Sequence, residues 1–262
     1  MHMNETLKNL RKDMLRISHL GQDGNLQSCF SSAEILWALY DGVLRLTPET
    51  VCQPIHDRFV LSKGQSNLAL LTVLAYKGFL PLAELDTFCQ YDSRIAMQAD
   101  RTKFDGIIET SAGSLGHGFP IAVGMAWAAK IKESGERVYV LAGDGEMNEG
   151  TMWEAALFAA SEGLDNLTLI IDDNNSIEQM LHMGDMVGKL EAFGFTVQLV
   201  DGHDVNALKD VLSRRCIGKP SAVLAKTVRG YGSKTLMGDR SWFPRWPKAD
   251  ELQILCGEVD AF

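Results

Sequence analysis

No apolar run in this chain is long enough to cross a bilayer, which takes roughly 20 residues. The longest, such as Leu68 to Ala75 and Ile121 to Ala129, fall well short. There is no excess of basic charge either, since 25 Lys and Arg stand against 34 Asp and Glu for a net charge of −9. That balance argues against non-specific attraction to nucleic acid or to anionic membrane, so an anionic ligand needs local help. Paired cysteines are missing. Cys29, Cys52, Cys89, Cys216 and Cys256 are scattered and without CxxC spacing, and they read as buried small hydrophobes, neither disulfide framework nor zinc site. The opening MHMNETLKNLRKDML lacks an apolar signal core and a small-residue cleavage site, which points to the cytoplasm. Linkers rich in Pro and Ser, low-complexity blocks and internal repeats are absent too, so residues 1–262 are expected to form a single domain.

What is present is an enzyme-sized core. With 46% hydrophobic and 23% charged residues, the chain can bury roughly three quarters of the surface it exposes when unfolded. Leu7, Leu10, Met14 and Ile17 recur at helical spacing. Ser31 or Ser32 is a candidate cap for a second helix through Ile35, Leu36 and Leu39, with the loop LGQDGNLQSC between the two. A short buried strand is expected at Phe59 to Leu61, then a helix from Asn67 to Tyr76 closed by Gly78, and another helix beginning near Pro81. Gln90 to Glu109 loses periodicity and reads as a long irregular connection, a kind that is often functional. The glycine-rich Gly113 to Pro120 leads into a small-residue helix from Ile121 to Lys130.

The clearest stretch is a strand–helix–strand unit: Arg137 to Ala142, Gly150 to Glu162 and Leu167 to Ile171. Strands at Thr196 to Val200 and Ala222 to Thr227 flank a helix near Val205 to Arg215, with Asp204 as its cap. Past Gly230, SWFPRWP offers aromatics and prolines in place of periodicity and is expected to wrap the surface or meet a partner. The alternation predicts an α/β fold, a mostly parallel sheet with helices on both faces.

Two of the predicted strand ends carry oxygen ligands. Asp144 lies just past one in LAGDGEMNEG, and Asn174 just past the next in LIIDDNNS. The right-handed crossover rule puts both ends on one side of the sheet, where open α/β sheets bind ligands. The Asp144 carboxylate, the Asn174 amide oxygen and the Ser176 carbonyl could give magnesium three hard oxygens, leaving positions for diphosphate and water. Amides around Gly145 and at the helix start near Gly150 could assist an anion. Either piece alone is bland, because Asp-Gly is a common turn and Asn-Asn a common loop tip.

Together they are more specific. GDGEMNEG followed by DDNN, with 30 residues from Asp144 to Asn174, resembles the thiamine diphosphate-binding motif in its transketolase form. ETSAGSLGHGFPIAVGMAWAAK, DRFVLSKGQ, FSSAEILWALY, GHD and KTVRGYG resemble other segments of the same family, so the likeness covers nearly the whole chain. A full transketolase is more than twice this length, and the sequence resembles the separate amino-terminal subunit of a split enzyme. The resemblance implies the thiamine diphosphate-binding fold, with thiamine diphosphate and Mg2+ (or Ca2+ or Mn2+) as cofactors. It also implies a carboxyl-terminal partner in an α2β2 heterotetramer, the partner supplying the glutamate that activates the cofactor ring.

By the same resemblance Asp144, Asn174 and the Ser176 carbonyl would hold the metal. Gly145 and Asn174 would contact the diphosphate, Gln65 would bind the cofactor, and Gly113, Ser114 and Leu115 would lie against it. Glu149 matches a glutamate at the interface between subunits, and Asn25 and His117 occupy positions near the chemistry. Without the family context, Glu149 is equally a first-turn glutamate complementing a helix dipole.

The family lines the mouth of its cofactor pocket with histidines, and here they are nearly all replaced. The matching positions are Asn25, Gln65, Ala99 and Phe243. His19 reads as a helix-end histidine and His203 as a brace for the loop before a helix. His117 replaces a family glutamine and is either a titratable group beside the cofactor or a packed neutral one. His2, His56 and His182 carry no usable signal, and Trp127, Met152 and Trp153 read as core or contact between subunits. Amides can donate hydrogen bonds but cannot exchange protons near neutral pH as imidazole does. General acid–base help is typically worth a factor of about 10² to 10⁴. Three readings stay open: ketol transfer with the protons moved by the partner or the cofactor, a decarboxylase or carboligase acting on a 2-oxo acid, and a degenerate chain that binds without turnover.

Overall fold

A computed structural model describes residues 3–176, 181–242 and 245–262. Among the described residues five strands, β1 (Arg58–Leu61), β2 (Val138–Gly143), β3 (Leu167–Asp173), β4 (Thr196–Asp201) and β5 (Ser221–Lys226), form one sheet. Its order is β1-β2-β3-β5-β4, and every neighbouring pair is parallel. Alternation along each strand divides the core in two. Val60, Val138, Val140, Leu169, Ile171 and Leu224 enter one cluster, while Phe59, Leu61, Tyr139, Ile170 and Val223 enter the other. Both sheet faces are therefore buried, as the near-continuous apolar strands require.

Helices α1 (Glu5–Gly21), α2 (Leu26–Ala38) and α3 (Asn67–Tyr76) pack on one face. Helices α4 (Gly118–Ile131), α5 (Gly150–Ser161) and α6 (Met186–Ala192) pack on the other. The first face also takes α7 (Val205–Ser213) and α9 (Ala249–Ala261), with the short α8 (Lys234–Gly238) between them in sequence. The expected cap holds at α7, where Asp204 accepts from the amides of Asn206 and Ala207, and α1 is closed by a left-handed Gln22. Gly78, at φ +80°, follows α3 as expected.

Several expectations are corrected. The second helix starts at Leu26, not after Ser31, and its cap is Asn25, which accepts from Ser28 N at 3.3 Å. Ser31 and Ser32 lie inside the helix, where their hydroxyls donate back to the Ser28 carbonyl at 3.1 and 2.8 Å; burial on all sides overrides their preference for caps. The helix expected near Pro81 is a 3-10 turn, Leu82–Thr87, that buries only Leu85. The small-residue helix begins at Gly118, three residues early. Two helices had no strong signal: α6 is seven residues long with one buried side chain, and α9 carries Leu252, Leu255, Cys256 and Val259 at helical spacing behind a stretch of prolines and aromatics. The tail past Gly230 therefore docks on α1, where Lys12 pairs with Asp260 at 2.8 Å. All five cysteines are free, but only Cys29 is buried.

Candidate functional site

Because the strands are parallel, their carboxyl ends gather on one edge. There Gly143 of β2 sits opposite Asp172 of β3, and Asp144 N donates to the Asp172 carbonyl at 3.2 Å. Asp144 is buried, and its Oδ1 accepts from Gly145 N at 2.7 Å and from the Ser176 hydroxyl. Asn174 Oδ1 accepts from Ser176 N at 3.1 Å. One residue, Ser176, thus touches both expected side-chain ligands and brings their oxygens together. Among the described residues no cluster of three or more His, Cys, Asp or Glu could hold a metal. The donor set is instead a carboxylate, an amide oxygen and a carbonyl, hard oxygens of the kind Mg2+ and Ca2+ take. These residues fit a metal-bound diphosphate.

A cavity of about 210 Å³ opens beside them, lined by Asn25, Gln65, Leu115, Gly145, Asn174 and Ser176 together with Ser28, Lys63, Gly143, Glu146 and Arg229. Among the described residues no histidine lines it. Asp144 also borders a larger cavity of about 310 Å³ that includes His182, Asp173 and Lys226. The smaller is the better candidate because it gathers six of the expected site residues.

Other expected residues lie outside this cavity. Gly113 and Ser114 are exposed beside it. His117 is exposed at the start of α4 with its Nδ1 3.2 Å from the Leu115 carbonyl. Glu149 is exposed at the N-terminus of α5 and caps no amide with its side chain. Gly150 is exposed as well, and its neighbour Thr151 donates to the Gly116 carbonyl at 2.7 Å, so α5 addresses the glycine-rich segment and not the cavity.

Ala99 is buried in the core, while the side chain of its neighbour Gln98 packs against Gly64, where a Cβ would come within 2.1 Å of its Oε1, and lies near Gly113. Phe243 lies outside the described residues. His19 ends α1, with Nδ1 2.8 Å from the Pro247 carbonyl. His203 braces its loop: its Nε2 accepts from Val228 N at 2.9 Å, which leaves Nδ1 to donate to Glu34 Oε2 at 3.1 Å. Met152 is core, Trp153 is half-buried and Trp127 is exposed.

Several side chains at or beneath the cavity escaped the sequence reading. Lys63 and Asp172 form a fully buried ion pair beneath the cavity. Burial alone would push the Asp172 carboxyl up, but the Lys63 charge and the hydrogen bonds from Lys63, Ser31 and Thr227 outweigh it and hold it below the usual range. Glu146 is the opposite case. Burial pushes its carboxyl up, against hydrogen bonds from Ser62, Gly116 and Gly143. Arg229 borders the cavity and donates to Gln27 Oε1 at 3.1 Å. The signal for Lys63 and Asp172 was available, since each sits close to a motif residue at a strand end; a charge inside apolar β3, and one two residues past β1, is the clue.

Fold and site together define a parallel α/β protein whose expected ligand residues Asp144, Asn174 and Ser176 gather at the carboxyl edge of its sheet. Residues 2–254 match the family described as the transketolase thiamine diphosphate-binding domain, and the chain belongs to that family. It is 37% identical over 243 residues to one of the separate subunits of the apulose-4-phosphate transketolase of Actinobacillus succinogenes, covering 90% of this chain and 87% of that one. It is 36% identical over 235 residues to a 6-deoxy-6-sulfo-D-fructose transketolase subunit of a Clostridium species, covering 87% and 82%. The transketolase of Campylobacter jejuni superimposes with a TM-score of 0.87 at 27% identity, over 98% of this chain but 43% of its own length. The chain thus spans less than half of that enzyme while matching the separate subunits nearly end to end.

Proposed function

We propose that this chain is the cofactor-binding subunit of a two-component, thiamine diphosphate-dependent transketolase that moves a two-carbon ketol unit from a ketose to an aldehyde. The observation that carries the reading is the convergence of Asp144 and Asn174 on Ser176 beside the cavity. Asp144, Asn174 and the Ser176 carbonyl would hold Mg2+, or Ca2+ or Mn2+ by the same oxygen chemistry. Gly145, Asn174 and Gln65 would meet the diphosphate, and Gly113, Ser114 and Leu115 the cofactor body. When bound, thiamine diphosphate supplies the electron sink that cleavage of a carbon–carbon bond beside a carbonyl requires.

This chain's own part is binding and orientation. Asn25 uses its Oδ1 to cap α2, which leaves its NH2 to donate to a substrate oxygen, and Gln65 offers a second amide. Neither exchanges protons near neutral pH, so proton transfer falls to the partner, the cofactor or His117. Two relatives are named for apulose-4-phosphate and 6-deoxy-6-sulfo-D-fructose; the substrate proposed here is of that class, a ketose with a terminal anionic group.

The proposed partner is a carboxyl-terminal subunit in an α2β2 assembly, in the cytoplasm; no helix among the described residues is long and apolar enough to cross a membrane. Exposure supports the partner. Gly113, Ser114, His117 and Glu149 adjoin a face of α4 and α5 that exposes Ile121, Trp127, Ile131, Leu157 and Phe158, and the Trp127 and Phe158 rings meet edge to face at 5.4 Å. Large exposed apolar faces mark interaction sites.

Calorimetric titration with thiamine diphosphate and Mg2+, with and without the partner, tests the reading; no binding in either case favours a chain without turnover. The cavity without imidazole favours one competing reading, a 2-oxo acid donor, because its loss of carbon dioxide needs no base. Carbon dioxide release without ketose cleavage would establish that alternative.

A further inference from the structure

We infer that Glu146 is a positioning residue: its carboxylate clamps the glycine-rich segment, at Gly116, onto the ends of β1 and β2, and so sets the wall against which the cofactor lies. The inference rests on the thiamine diphosphate reading of the site. Glu146 is 1% exposed and borders the cavity. Its Oε1 accepts from Ser62 Oγ at 2.5 Å and from Gly116 N at 2.8 Å. Its Oε2 accepts from Gly143 N at 3.3 Å. Three segments far apart in sequence meet on one side chain. Ser62 extends the clamp, because its Oγ also accepts from Phe119 N, at 3.2 Å, in the first turn of α4.

The segment needs such an anchor. Among the described residues, no backbone–backbone hydrogen bond outside regular elements involves Glu109 to Gly116, so side chains hold it. Gly116, at φ +81°, is gripped from both sides: Glu146 takes its amide and Thr151 its carbonyl. A Cβ there would come within 2.6 Å of Thr151 Oγ1 and 2.7 Å of Glu149 Cβ. Leu115, the residue before Gly116, lines the cavity. Glu146 itself stands in the turn Gly145–Asn148 that directly follows Asp144. The wall and the expected metal ligand are therefore held by one rigid turn, and a carboxylate that accepts from several amides is well suited to fix such a geometry.

The test uses the whole chain as wild type, Glu146→Gln, Glu146→Ala and Ser62→Ala. Two quantities are read: the Kd for thiamine diphosphate with Mg2+ by calorimetry, and amide hydrogen exchange without cofactor. Glu146→Ala is expected to speed exchange at residues 113–117 while the strands stay protected, and to weaken cofactor binding about tenfold, the worth of one charged hydrogen bond. Glu146→Gln keeps an acceptor oxygen and is expected to recover much of both effects. Ser62→Ala removes one arm and should fall between, and these last two variants decide the matter if Glu146→Ala does not fold. Wild-type binding with unchanged Kd and exchange in the variants would overturn the inference. Failure of the wild type to bind would instead overturn the functional reading, and the exchange data would still judge the clamp.

Discussion

Lys63 and Asp172 form an ion pair that solvent does not reach, 1% and 0% exposed, joining the loop after β1 to the end of β3 beneath the cavity. Asp172 Oδ2 also accepts from Ser31 Oγ at 2.6 Å and Asn174 Nδ2 at 3.2 Å, and its Oδ1 accepts from the Thr227 hydroxyl. Through these bonds α2, β3, the residue after β5 and the expected metal ligand Asn174 share one buried charge. Desolvating two ions costs several kcal/mol each, so such a pair contributes little net stability while its disruption is expensive.

Lys63→Met is therefore expected to destabilise the fold by about 3–5 kcal/mol, since it leaves an uncompensated carboxylate. Adding Asp172→Asn should recover much of that loss. Urea unfolding of the wild type, both single variants and the double closes the cycle. A double variant as damaged as the sum of its singles would show that the two groups do not act as a pair.

Asp144→Ala and Asn174→Ala remove the oxygens that meet at Ser176. Outer-shell partners of metal ligands typically cost about 10–100-fold in metal affinity, and ligands themselves should cost at least as much. Calorimetry with thiamine diphosphate and Mg2+ should register that loss, and chelating the metal should abolish binding by the wild type. Cofactor affinity indifferent to both would place the diphosphate elsewhere.

The acid limb of stability should follow Glu34. It is buried between Arg11, bonded at 2.7 and 2.8 Å, and His203. Burial alone would raise its carboxyl, but the Arg11 charge and the hydrogen bonds from His203 and Arg11 hold it below the ordinary range. A folded-state value below the unfolded one means that the unfolded chain binds the proton more readily. The stability this adds is complete above the ordinary glutamate value, about 4.3, and is lost as pH falls below it. Unfolding midpoints measured from pH 7 to pH 3 should drop more steeply for the wild type than for Glu34→Gln. Equal slopes would remove Glu34 as the cause.

Association should depend on the apolar face of α4 and α5. Trp127→Glu and Leu157→Glu place charges where side chains 41% and 62% exposed stand beside Ile131 and Phe158. Neither position lies in the core, so the monomer fold should persist by circular dichroism while sedimentation shows loss of assembly with the partner. Unchanged assembly would move the docking face elsewhere.

Much of this was legible from residue patterns. Parallel strands buried on both faces appear as apolar runs such as Val138 to Ala142, and turn chemistry at Gly78 and Asp204 marked helix ends correctly. The pairing of Asp144 with Asn174 was legible because they sit at two strand ends of one strand–helix–strand unit. What escaped has a common physical cause. Ser31 and Ser32 look like caps because their helix is buried on all sides, and its hydroxyls serve the buried Asp172. Glu146 looks like an ordinary turn carboxylate because its partners, Ser62 and Gly116, are distant in sequence. Gln98 and Ala99 are adjacent in an irregular loop, and only the packing of the loop decides which of them enters the core and which lies against Gly64.

The sharpest functional prediction comes from the cavity's lining, which holds no imidazole among the described residues. Gln65 borders the cavity, is only half-buried and caps no helix, so a ring can replace its amide without disturbing α2, as a change at Asn25 would. Gln65→His introduces a group that titrates near pH 6.5. With the partner present and a ketose donor, kcat/KM for the variant should acquire a limb near that pH which the wild type lacks. If the missing proton transfer limits the wild type, the rate above that limb should rise, with a ceiling of about 10² to 10⁴ set by general acid–base catalysis. A new limb without a rise would mean that the partner or cofactor already moves the proton. A profile identical to the wild type would mean that position 65 does not face the reacting atoms, and the assignment of Gln65 to the cofactor site would fall with it.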